Sequence, residues 1–286
     1  MPLLDSPEVV ALRPRLVRIG YRMLGSVAEA EDAVQEALLR FSRVDAEVDD
    51  PGAFLARTVT RICLDALKSA RKRRETYVGP WLPEPIFDAH ETVSDDVTLT
   101  LMLALERLSP LERAAFLLHD VFGVGLDEIA YTLDREPAAC RKLATRAREH
   151  VRGADSRYCI SPERGAEIAR AFYVASQIGD VSALRQLLAD DVISYSDAGG
   201  KRSSATKPVY GSSRVEKLYL GLARKSEFAL SRYFELVRID GLPGFISYGN
   251  DGWPQTTALA IVDDKIVAIY KVQNPDKLQR LRLPAS

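Results

Sequence analysis

The chain has 286 residues with 39 basic and 40 acidic side chains, which gives a formal net charge of −1. This length suggests about two domains, no apolar run reaches the ~20 residues of a membrane-spanning helix, and the N-terminus lacks the basic-then-apolar order of a signal peptide. Three cysteines, Cys63, Cys140 and Cys159, are too few and too scattered for a disulfide framework or a CxxC metal site. We therefore expect a cytoplasmic protein without a metal or another cofactor.

An acidic surface is predicted in the first helical block, Pro14–Phe41, which turns at Gly25. Apolar residues recur at helical spacing along one side of both helices. On the second helix, the side chains of Asp32, Gln35 and Glu36 share the opposite face. A solvated acidic face would explain these residues without any partner.

The stretch from Arg57 to Arg74 is the most strongly charged part of the chain, with seven basic residues and one acidic residue. Pro51 is suited to the first turn of its helix, because the missing N–H has no partner there. Apolar residues occupy one face of this helix, and the other face presents positive charge of the kind that commonly meets phosphates. That basic face is lined by Arg57, Arg61, Lys68 and Lys72. A solvated basic face is the alternative.

Three prolines within six residues, from Pro80 to Pro85, favour an extended connector and mark a domain boundary. A second all-α block follows, from about Asp95 to Arg152. It contains a helix-turn-helix pattern with helices at 126–133 and from Pro137 onward, and a turn at 134–136. Arginines on the second helix can reach guanine edges or phosphates in a major groove.

Near residue 160 the chain changes from helices alone to helices followed by strands. Helices are predicted at Glu163–Ile178, Val181–Ala189 and about Ser213–Lys225. Strands are predicted at Asp191–Ser196, Phe228–Ile239, Gly244–Gly249, Gln255–Val262 and Ile266–Val272. This order favours an α+β domain with a curved antiparallel sheet.

Five segments in this order resemble those of extracytoplasmic-function (ECF) sigma factors, in the subgroup with a SnoaL-like C-terminal extension. The sequences YRMLGSVAEAEDAVQEALLRF and AFLARTVTRICLDALKSARKRR look like sigma region 2. The sequence LSPLERAAFLLHDVFGVGLDEIAYTLDREPAACRKLATRAREHVR looks like sigma region 4. The linker YVGPWLPEP and the motifs DAGGK and NPDKL are similar to the remaining segments of that subgroup, although Ala198 stands where its pattern has glycine.

This resemblance implies a multidomain protein with two all-α sigma modules and a C-terminal α+β cone. Region 2 would span residues 1–78, a Pro-rich linker residues 79–94, region 4 residues 95–155, and the SnoaL-like domain residues 160–286. The partners it implies are core RNA polymerase and promoter DNA, with no membrane, and the SnoaL-like domain would contact the sigma modules. Whether the cone binds a small ligand stays open.

The resemblance also implies roles for individual residues. Asp32, Gln35 and Glu36 would dock on the clamp helices of the largest polymerase subunit. The phosphates around the −10 element would be held by Arg57, Arg61, Lys68, Arg71 and Lys72. The −35 element would be read by Arg141, Lys142, Thr145 and Arg146. Regulatory contacts between domains would involve Trp81, Asp197, Gly199, Gly200, Lys201, Asn274, Pro275, Asp276, Lys277 and Leu278. A glycine turn and a helix start capped by Asn274 or Asp276 would also explain the last two motifs.

Two other functions are open at this point. Some relatives of the SnoaL-like cone are polyketide cyclases or isomerases, which usually need a histidine or carboxylate base. All three histidines, His90, His119 and His150, lie outside this domain, and we expect no catalytic residue. The resemblance implies instead a regulatory domain that replaces a separate anti-sigma factor. The other rival is a helix-turn-helix regulator that binds duplex DNA without polymerase.

Overall fold

The computed structural model describes residues 6–44, 48–87, 98–152, 160–225, 234–249 and 252–281, and it describes the backbone alone for residues 69–75 and 225. The chain divides into two compact units. The described parts of Met1–Thr76 and Leu101–Arg152 form the first unit, and those of Tyr77–Thr100 and Gly153–Ser286 form the second. The segment Tyr77–Phe87, in which the predicted linker begins, therefore folds with the C-terminal domain.

The first unit is built of helices whose ends follow the local sequence. The Ser6 hydroxyl accepts a hydrogen bond from the Val9 N–H and caps the first helix, which ends at Gly25 in the left-handed conformation. Ser26 caps the second helix in the same way. The helices are α1 Pro7–Leu24, α2 Val27–Phe41, α3 Pro51–Glu75, α4 Leu99–Leu105, α5 Pro110–Phe116, α6 Leu126–Leu133 and α7 Pro137–Val151.

Two helix boundaries differ from the prediction. Helix α1 begins at Pro7 rather than at Pro14, because Ser6 and Pro7 form a complete helix start and Pro14 is accommodated inside the helix. The amphipathic pattern of Leu111–Val121 predicts a single helix, and the structure has instead α5 followed by a π-helical segment, Leu117–Val121. The helix-turn-helix bounds are confirmed, since α6 ends at Leu133 and α7 begins at Pro137.

Close packing of α1 against α2 depends on small residues. A Cβ atom on Gly20 would lie 2.9 Å from the Cβ of Ala30, so only glycine permits this approach. Helix α3 completes the core with Leu55, Val59 and Cys63, all buried. Burial raises the pKa of Cys63 to about 12, with a further increase from the charge of Glu29. Cys63 and Cys140 fall at apolar helix positions in the sequence, which favours buried thiols, and both are free and buried.

The second unit contains three helices in its described part, together with a six-stranded sheet of order β2-β1-β6-β5-β4-β3. Asp180 caps α9 by accepting a hydrogen bond from the Ala183 N–H. The elements are α8 Pro162–Ile178, α9 Val181–Leu187, β1 Leu188–Asp197, β2 Val209–Tyr210, α10 Ser212–Lys225, β3 Phe234–Ile239, β4 Leu242–Tyr248, β5 Pro254–Val262 and β6 Lys265–Val272.

The sheet is antiparallel, as predicted, except at one pair, since β1 and β6 run parallel. Both strands lie inside the sheet rather than at its edges. The chain between them contains the other four strands, β2 to β5. Register shifts in β1 and between Ala260 and Ile261 in β5 mark irregularities of the kind that bend strands. The short strand β2 was not predicted, and the predicted strand residues 228–233 lie outside the described residues.

One side of this sheet packs against the helices of the unit, and we call it the helix-facing side. It carries Val192, Phe245, Leu259 and Ile269, which pack with Phe172 of α8 in a buried apolar core. The opposite side carries Tyr195 and Tyr270 from neighbouring strands, with ring centroids 5.4 Å apart. Within the described ranges, no helix has the length and apolar character needed to cross a bilayer.

Candidate functional sites

The predicted acidic surface lies on α2. Asp32, Gln35 and Glu36 are all exposed there, while Ala33 and Val34 between them are buried. The Glu36 carboxylate accepts a hydrogen bond from Arg40 at 2.8 Å, an exposed pair one helical turn apart. The backbone of α2 therefore presents the three side chains together to solvent.

The predicted basic face of α3 is partly engaged with α6. Arg61 donates hydrogen bonds to the carbonyl oxygens of Thr132 and Tyr131, both at 2.9 Å. The guanidinium of Arg57 lies 4.6 Å from the centre of the Tyr131 ring, a cation–π contact. Tyr131 is otherwise 64% exposed, so its ring is held at the surface beside these two arginines.

Further along α3, the described basic residue is Lys68. Lys68 is exposed and pairs with Asp65 of its own helix at 2.7 Å. The helix continues through Arg71 and Lys72, whose side chains lie outside the described residues. The helix that carries the basic face is thus continuous in its backbone, and its first two arginines contact α6.

The helix-turn-helix presents the second group of predicted DNA-binding residues. Asp134 adopts a left-handed conformation with φ 53°, which ends α6 and turns the chain toward α7. On α7, the side chains of Arg141, Lys142, Thr145 and Arg146 are all exposed. The Thr145 hydroxyl donates to the Arg141 carbonyl at 2.9 Å.

Arg146 differs from its neighbours because it faces α5, with its guanidinium 3.9 Å from the Glu112 carboxylate. Glu112 also forms a capping box with Ser109 at the start of α5. The hydrogen bond from Ser109 is the main cause of the lowered pKa of Glu112, and Arg146 contributes further. Arg141 and Lys142 therefore project freely from α7, whereas Arg146 also approaches the preceding helix.

Arg113 stabilises the helical fold, and the sequence pattern did not indicate this role. It is almost fully buried and donates hydrogen bonds to the carbonyl oxygens of Leu105 and Met23 and to the Glu106 carboxylate. Burial lowers its pKa to about 10. Because Met23 lies in α1 and Arg113 in α5, this side chain connects the helices of the two predicted sigma modules within the first unit.

In the second unit, a buried carboxylate organises the predicted regulatory motifs. Asp197 is fully buried at the end of β1. Its oxygens accept hydrogen bonds from the Tyr77 hydroxyl at 2.5 Å, the Leu82 N–H at 2.8 Å and the Gly199 N–H at 3.2 Å. The Lys277 ammonium completes this set at 2.7 Å. We call these residues, with Trp81, Lys201 and Asn274–Leu278, the motif cluster.

Lys277 and Asn274 also bind residues of the linker. Lys277 also donates to the Leu82 carbonyl oxygen, and its ammonium lies 4.3 Å from the centre of the Trp81 ring. The Asn274 amide donates to the Tyr77 hydroxyl at 2.8 Å, and its oxygen caps the short 3-10 helix Pro275–Lys277. Burial raises the pKa of Tyr77, and the Asp197 carboxylate beside it adds to this increase.

The turn after β1 uses two glycines in the left-handed region, Gly199 at φ 59° and Gly200 at φ 71°. A Cβ atom on Gly199 would lie 2.5 Å from the Asn274 amide nitrogen, and one on Gly200 would lie 3.1 Å from the Val78 side chain. Ala198 does not have a positive φ, so alanine at this position is unstrained. Lys201 closes the turn by pairing with Asp276 at 2.6 Å on the surface.

The linker is tied to the domain at a second place. The Asp240 carboxylate accepts a hydrogen bond from the Ile86 N–H at 3.2 Å, and the Asp240 N–H donates to the Ile86 carbonyl oxygen at 2.9 Å. Phe87 forms an isolated antiparallel bridge with Ile239 at the edge of the sheet. Tyr77–Phe87 is therefore fixed to the C-terminal domain along its length.

These arrangements can be compared with known proteins. Residues 9–73 match the family model of Sigma-70 region 2, and residues 98–151 match that of Sigma-70, region 4. The ECF RNA polymerase sigma factor SigJ of Mycobacterium tuberculosis is 37% identical over 96% of this chain and 93% of its own length. This chain belongs to the ECF sigma factors.

Further relatives cover this sigma factor along its whole length. The probable ECF RNA polymerase sigma factor SigI of Mycobacterium tuberculosis is 32% identical over 95% of the chain and 94% of its own length. The crystal structure of SigJ from Mycobacterium tuberculosis aligns with a TM-score of 0.78 at 36% identity, covering 96% of this chain and 98% of that one. The predicted architecture, two helical sigma regions followed by an α+β SnoaL-like domain, is confirmed.

No metal centre accompanies these sites in the described ranges, where no cluster of three or more histidine, cysteine, aspartate or glutamate side chains could hold an ion. His119 and His150 lie in the first unit, on the π-helical segment and on α7. The sites that the sigma factor offers are thus charged surfaces on helices and a buried hydrogen-bonded cluster.

Proposed function

We propose that this sigma factor binds core RNA polymerase through Asp32, Gln35 and Glu36 and recognises promoters with α3 and α7. The −10 element would be held through its phosphates by Arg57, Arg61, Lys68, Arg71 and Lys72. The −35 element would be read by Arg141, Lys142, Thr145 and Arg146. The observation that carries this proposal is the pairing of an exposed basic helix with a separate helix-turn-helix inside the two matched sigma regions. Phosphate contacts give affinity and register, and base contacts give sequence choice.

We expect promoter binding to rearrange the first unit. The Arg61 guanidinium donates its Nε–H and one N–H of Nη2 to carbonyl oxygens of α6, so only its remaining N–H groups are available to a phosphate while this contact lasts. Arg57 likewise stacks on Tyr131. We expect α6 to leave α3 before Arg57 and Arg61 bind DNA, which makes this contact characteristic of the free protein.

The C-terminal domain would act as a regulator and not as an enzyme. Support comes from the motif cluster, in which the linker is bound by Asp197, Asn274 and Lys277. The linker joins the two sigma regions in sequence, so a domain that fixes the linker limits how far apart the regions can move. Contact of this domain with the sigma regions themselves is part of the proposal.

The test is transcription in vitro with purified core polymerase and a promoter selected by run-off from a template library. Full-length protein is compared with chains that end before Asn274 or before Glu163, and with the point variants Lys277→Met and Lys201→Met. We expect transcription from the full chain and altered output from both truncations and from Lys277→Met. Lys201→Met, also in the motif cluster, is expected to change the output less than Lys277→Met, because its ion pair with Asp276 is exposed.

Three results would contradict separate parts of the proposal. Failure of the full chain to bind core polymerase or to initiate RNA on any template would contradict the sigma function. Equal output from the full chain, both truncations and Lys277→Met would contradict regulation by the C-terminal domain and leave the sigma function intact. Turnover of a small molecule by the full chain would contradict the non-enzymatic role.

A further inference from the structure

The stretch from residue 201 to residue 225 is a strongly basic part of the C-terminal domain, with seven basic residues and one acidic residue. It includes the short strand β2 and the helix α10. Residues 57–74 of region 2 have the same balance of charges. Such a stretch creates a positive electrostatic potential on one face of a domain when its basic side chains are exposed together.

Helix α10 separates an apolar face from a basic face. The apolar face packs into the core of the domain through Val215 and Tyr219, which lie one helical turn apart. The opposite face carries three exposed basic residues, with a glycine among them. These are Arg214, Lys217 and Arg224, and together with Gly221 we call them the basic stripe. At a rise of about 1.5 Å per residue, the stripe extends over about 15 Å of the helix axis.

The positive charges of the basic stripe are not neutralised within the described part of the domain. There, the side chains of Arg214, Lys217 and Arg224 form no hydrogen bond or ion pair with another residue. Glu216 is the single acidic residue of the stretch, and it is buried. Its carboxylate lies 3.1 Å from the guanidinium of Arg185 in α9. The negative charge of α10 is therefore compensated by α9, and the stripe keeps its full positive charge.

Gly221 lies within the basic stripe, and the fold does not require a glycine there. Its φ is not positive, and an added Cβ atom would have no described neighbour within 4 Å. Glycine inside a helix lowers stability relative to alanine, because its backbone loses more conformational freedom on folding. The missing side chain leaves a gap between Lys217 and Arg224, where an extended partner can approach the helix backbone closely.

We propose that the basic stripe binds the phosphate backbone of duplex DNA. Arginine and lysine are the side chains that most commonly contact DNA phosphates, and the phosphates of one strand follow each other at about 3.4 Å along the duplex axis. Three cations spread over about 15 Å of helix can therefore each meet a different phosphate. The gap at Gly221 lets the DNA backbone lie against α10 between two of them.

The composition of the basic stripe favours duplex DNA over other polyanions. The stripe carries no aromatic side chain on which the bases of a single strand could stack. It also lacks the apolar or aromatic centre that is typical of protein–protein interfaces, where lysine is depleted. An array of cations without such a centre is suited to the regularly spaced charges of a DNA backbone.

The basic stripe adds a DNA contact outside the two sigma regions. A sigma factor acts on promoter DNA, so α10 is tethered near a duplex and binds it at a high effective concentration. Because phosphate contacts carry no sequence information, the stripe strengthens binding to any duplex and leaves promoter choice to the sigma regions. This inference does not depend on a regulatory role of the C-terminal domain.

The experiment measures binding of the free full-length protein to a labelled DNA duplex of arbitrary sequence, by fluorescence anisotropy at several salt concentrations. The stripe variant combines Arg214→Gln, Lys217→Gln and Arg224→Gln. The control variant changes two other exposed arginines and another exposed lysine of the same domain, and it combines Arg164→Gln, Arg238→Gln and Lys265→Gln. Both variants lose the same net charge, so a difference between them reports on local contacts.

We expect the control variant to keep the salt dependence of the parent. The stripe variant is expected to bind the duplex about tenfold or more weakly at low salt. Its slope of log affinity against log salt should fall by about 3, because each lost phosphate contact contributes about 1. Gly221→Gln keeps the charge and fills the gap, so it should weaken duplex binding several-fold without lowering the stability of α10.

Equal duplex affinity of the parent and the stripe variant would overturn the proposal, and so would equal salt slopes of the stripe and control variants. Unchanged binding by Gly221→Gln would overturn the close approach of DNA at this glycine. Polyglutamate, a polyanion without phosphates, provides a further arm. If the stripe variant loses more affinity for polyglutamate than for the duplex, the stripe fits an acidic protein surface and the assignment to DNA is wrong.

Circular dichroism shows whether the variants fold. If the stripe variant does not fold, Lys217→Gln alone tests the same surface, with an expected decrease of about 1 in the salt slope. The assay contains neither polymerase nor a promoter. A negative result therefore leaves the proposed sigma function intact, and failure of the sigma function would not affect this test.

Discussion

The Lys277 ammonium lies 2.7 Å from the carboxylate of Asp197, an ion pair buried between the linker and the end of β1. The same carboxylate binds the Tyr77 hydroxyl and the Leu82 N–H, so one fully buried acid joins three separate segments of the chain. A second lysine–aspartate pair, Lys201 with Asp276, lies nearby on the surface. The two pairs share their chemistry and differ in burial.

This difference predicts unequal effects of two equivalent substitutions. Lys277→Met leaves a buried carboxylate without its cation and is expected to destabilise the second unit by about 3 kcal/mol. Lys201→Met removes an exposed pair and is expected to cost about 1 kcal/mol or less. Both tryptophans, Trp81 and Trp253, lie in this unit, so denaturation followed by tryptophan fluorescence reports on it. Similar losses for the two variants would contradict the structural role assigned to the buried pair.

The glycine turn after β1 permits a second comparison. Gly199→Ala places a side chain in the left-handed region, at a cost of roughly 1–2 kcal/mol, and brings its Cβ against the Asn274 amide. Gly252→Ala has the same backbone cost at φ 77°, but no atom lies within 4 Å of the added Cβ. We expect Gly199→Ala to be the more destabilising by about 1 kcal/mol, because Asn274 must release Tyr77.

The same fluorescence assay measures this difference in denaturation midpoint. An additional readout is the exchange protection of the Leu82 N–H, which donates to Asp197. Gly199→Ala should reduce that protection, and Gly252→Ala should leave it unchanged. Equal midpoints for the two alanine variants would show that the close approach of Asn274 contributes nothing beyond the backbone conformation.

Local sequence signals predicted the helical parts of the fold well. The bounds of α6 and α7 follow from the turn at Asp134 and from Pro137, both of which act within a few residues. The acidic face of α2 and the exposed residues of α7 follow from helical periodicity alone. Pro14 predicts a start of α1 that is seven residues too late, because Ser6 and Pro7 already form a complete helix start.

Features that depend on contacts distant in sequence were not predictable in this way. The parallel pairing of β1 with β6 joins segments at least 75 residues apart and leaves no local pattern. The buried bonds from Arg113 to Met23 and Leu105 depend on how α5 meets α1, and an arginine in an amphipathic helix ordinarily suggests a surface. The contact of Arg61 with α6 has the same origin.

Arg61 contacts α6 in the free protein, and we propose that it binds a phosphate of the promoter. Variants at this position can therefore separate an effect on folding from an effect on DNA binding. Arg61→Ala removes two hydrogen bonds to α6 and is expected to lower the stability of the first unit by about 1 kcal/mol. Lys68→Ala removes only an exposed pair with Asp65 and is expected to change stability little. The helical circular dichroism signal of the free protein measures both effects.

In the holoenzyme the two variants should behave alike. If Arg61 and Lys68 each bind one phosphate, each alanine variant lowers promoter affinity and reduces the slope of log affinity against log salt by about 1. The assay is promoter binding by reconstituted holoenzyme at several salt concentrations. An unchanged slope for Arg61→Ala would restrict this residue to the contact with α6.

The lowered pKa of Lys271 predicts a specific dependence of stability on pH. Its value in the folded protein, about 8, lies below its ordinary value of 10.5, so the unfolded chain binds more protons between these limits. Stability therefore rises with pH across this window and is insensitive to Lys271 below it. The positive charge of Arg202 contributes to the lowered pKa of Lys271, after the larger effect of burial.

Lys271→Met isolates this contribution. At pH 7 the variant should be at least as stable as the parent, because it removes a half-buried charge, and the parent should gain on the variant as pH rises from about 8 to about 10. Burial raises the pKa of Tyr219 to about 12 and also raises that of Tyr77, which lowers stability above pH 10. Both tyrosines are present in both proteins, so their effect cancels in the difference. Denaturation followed by tryptophan fluorescence at several pH values measures that difference, and a constant difference would place the Lys271 ammonium in contact with water.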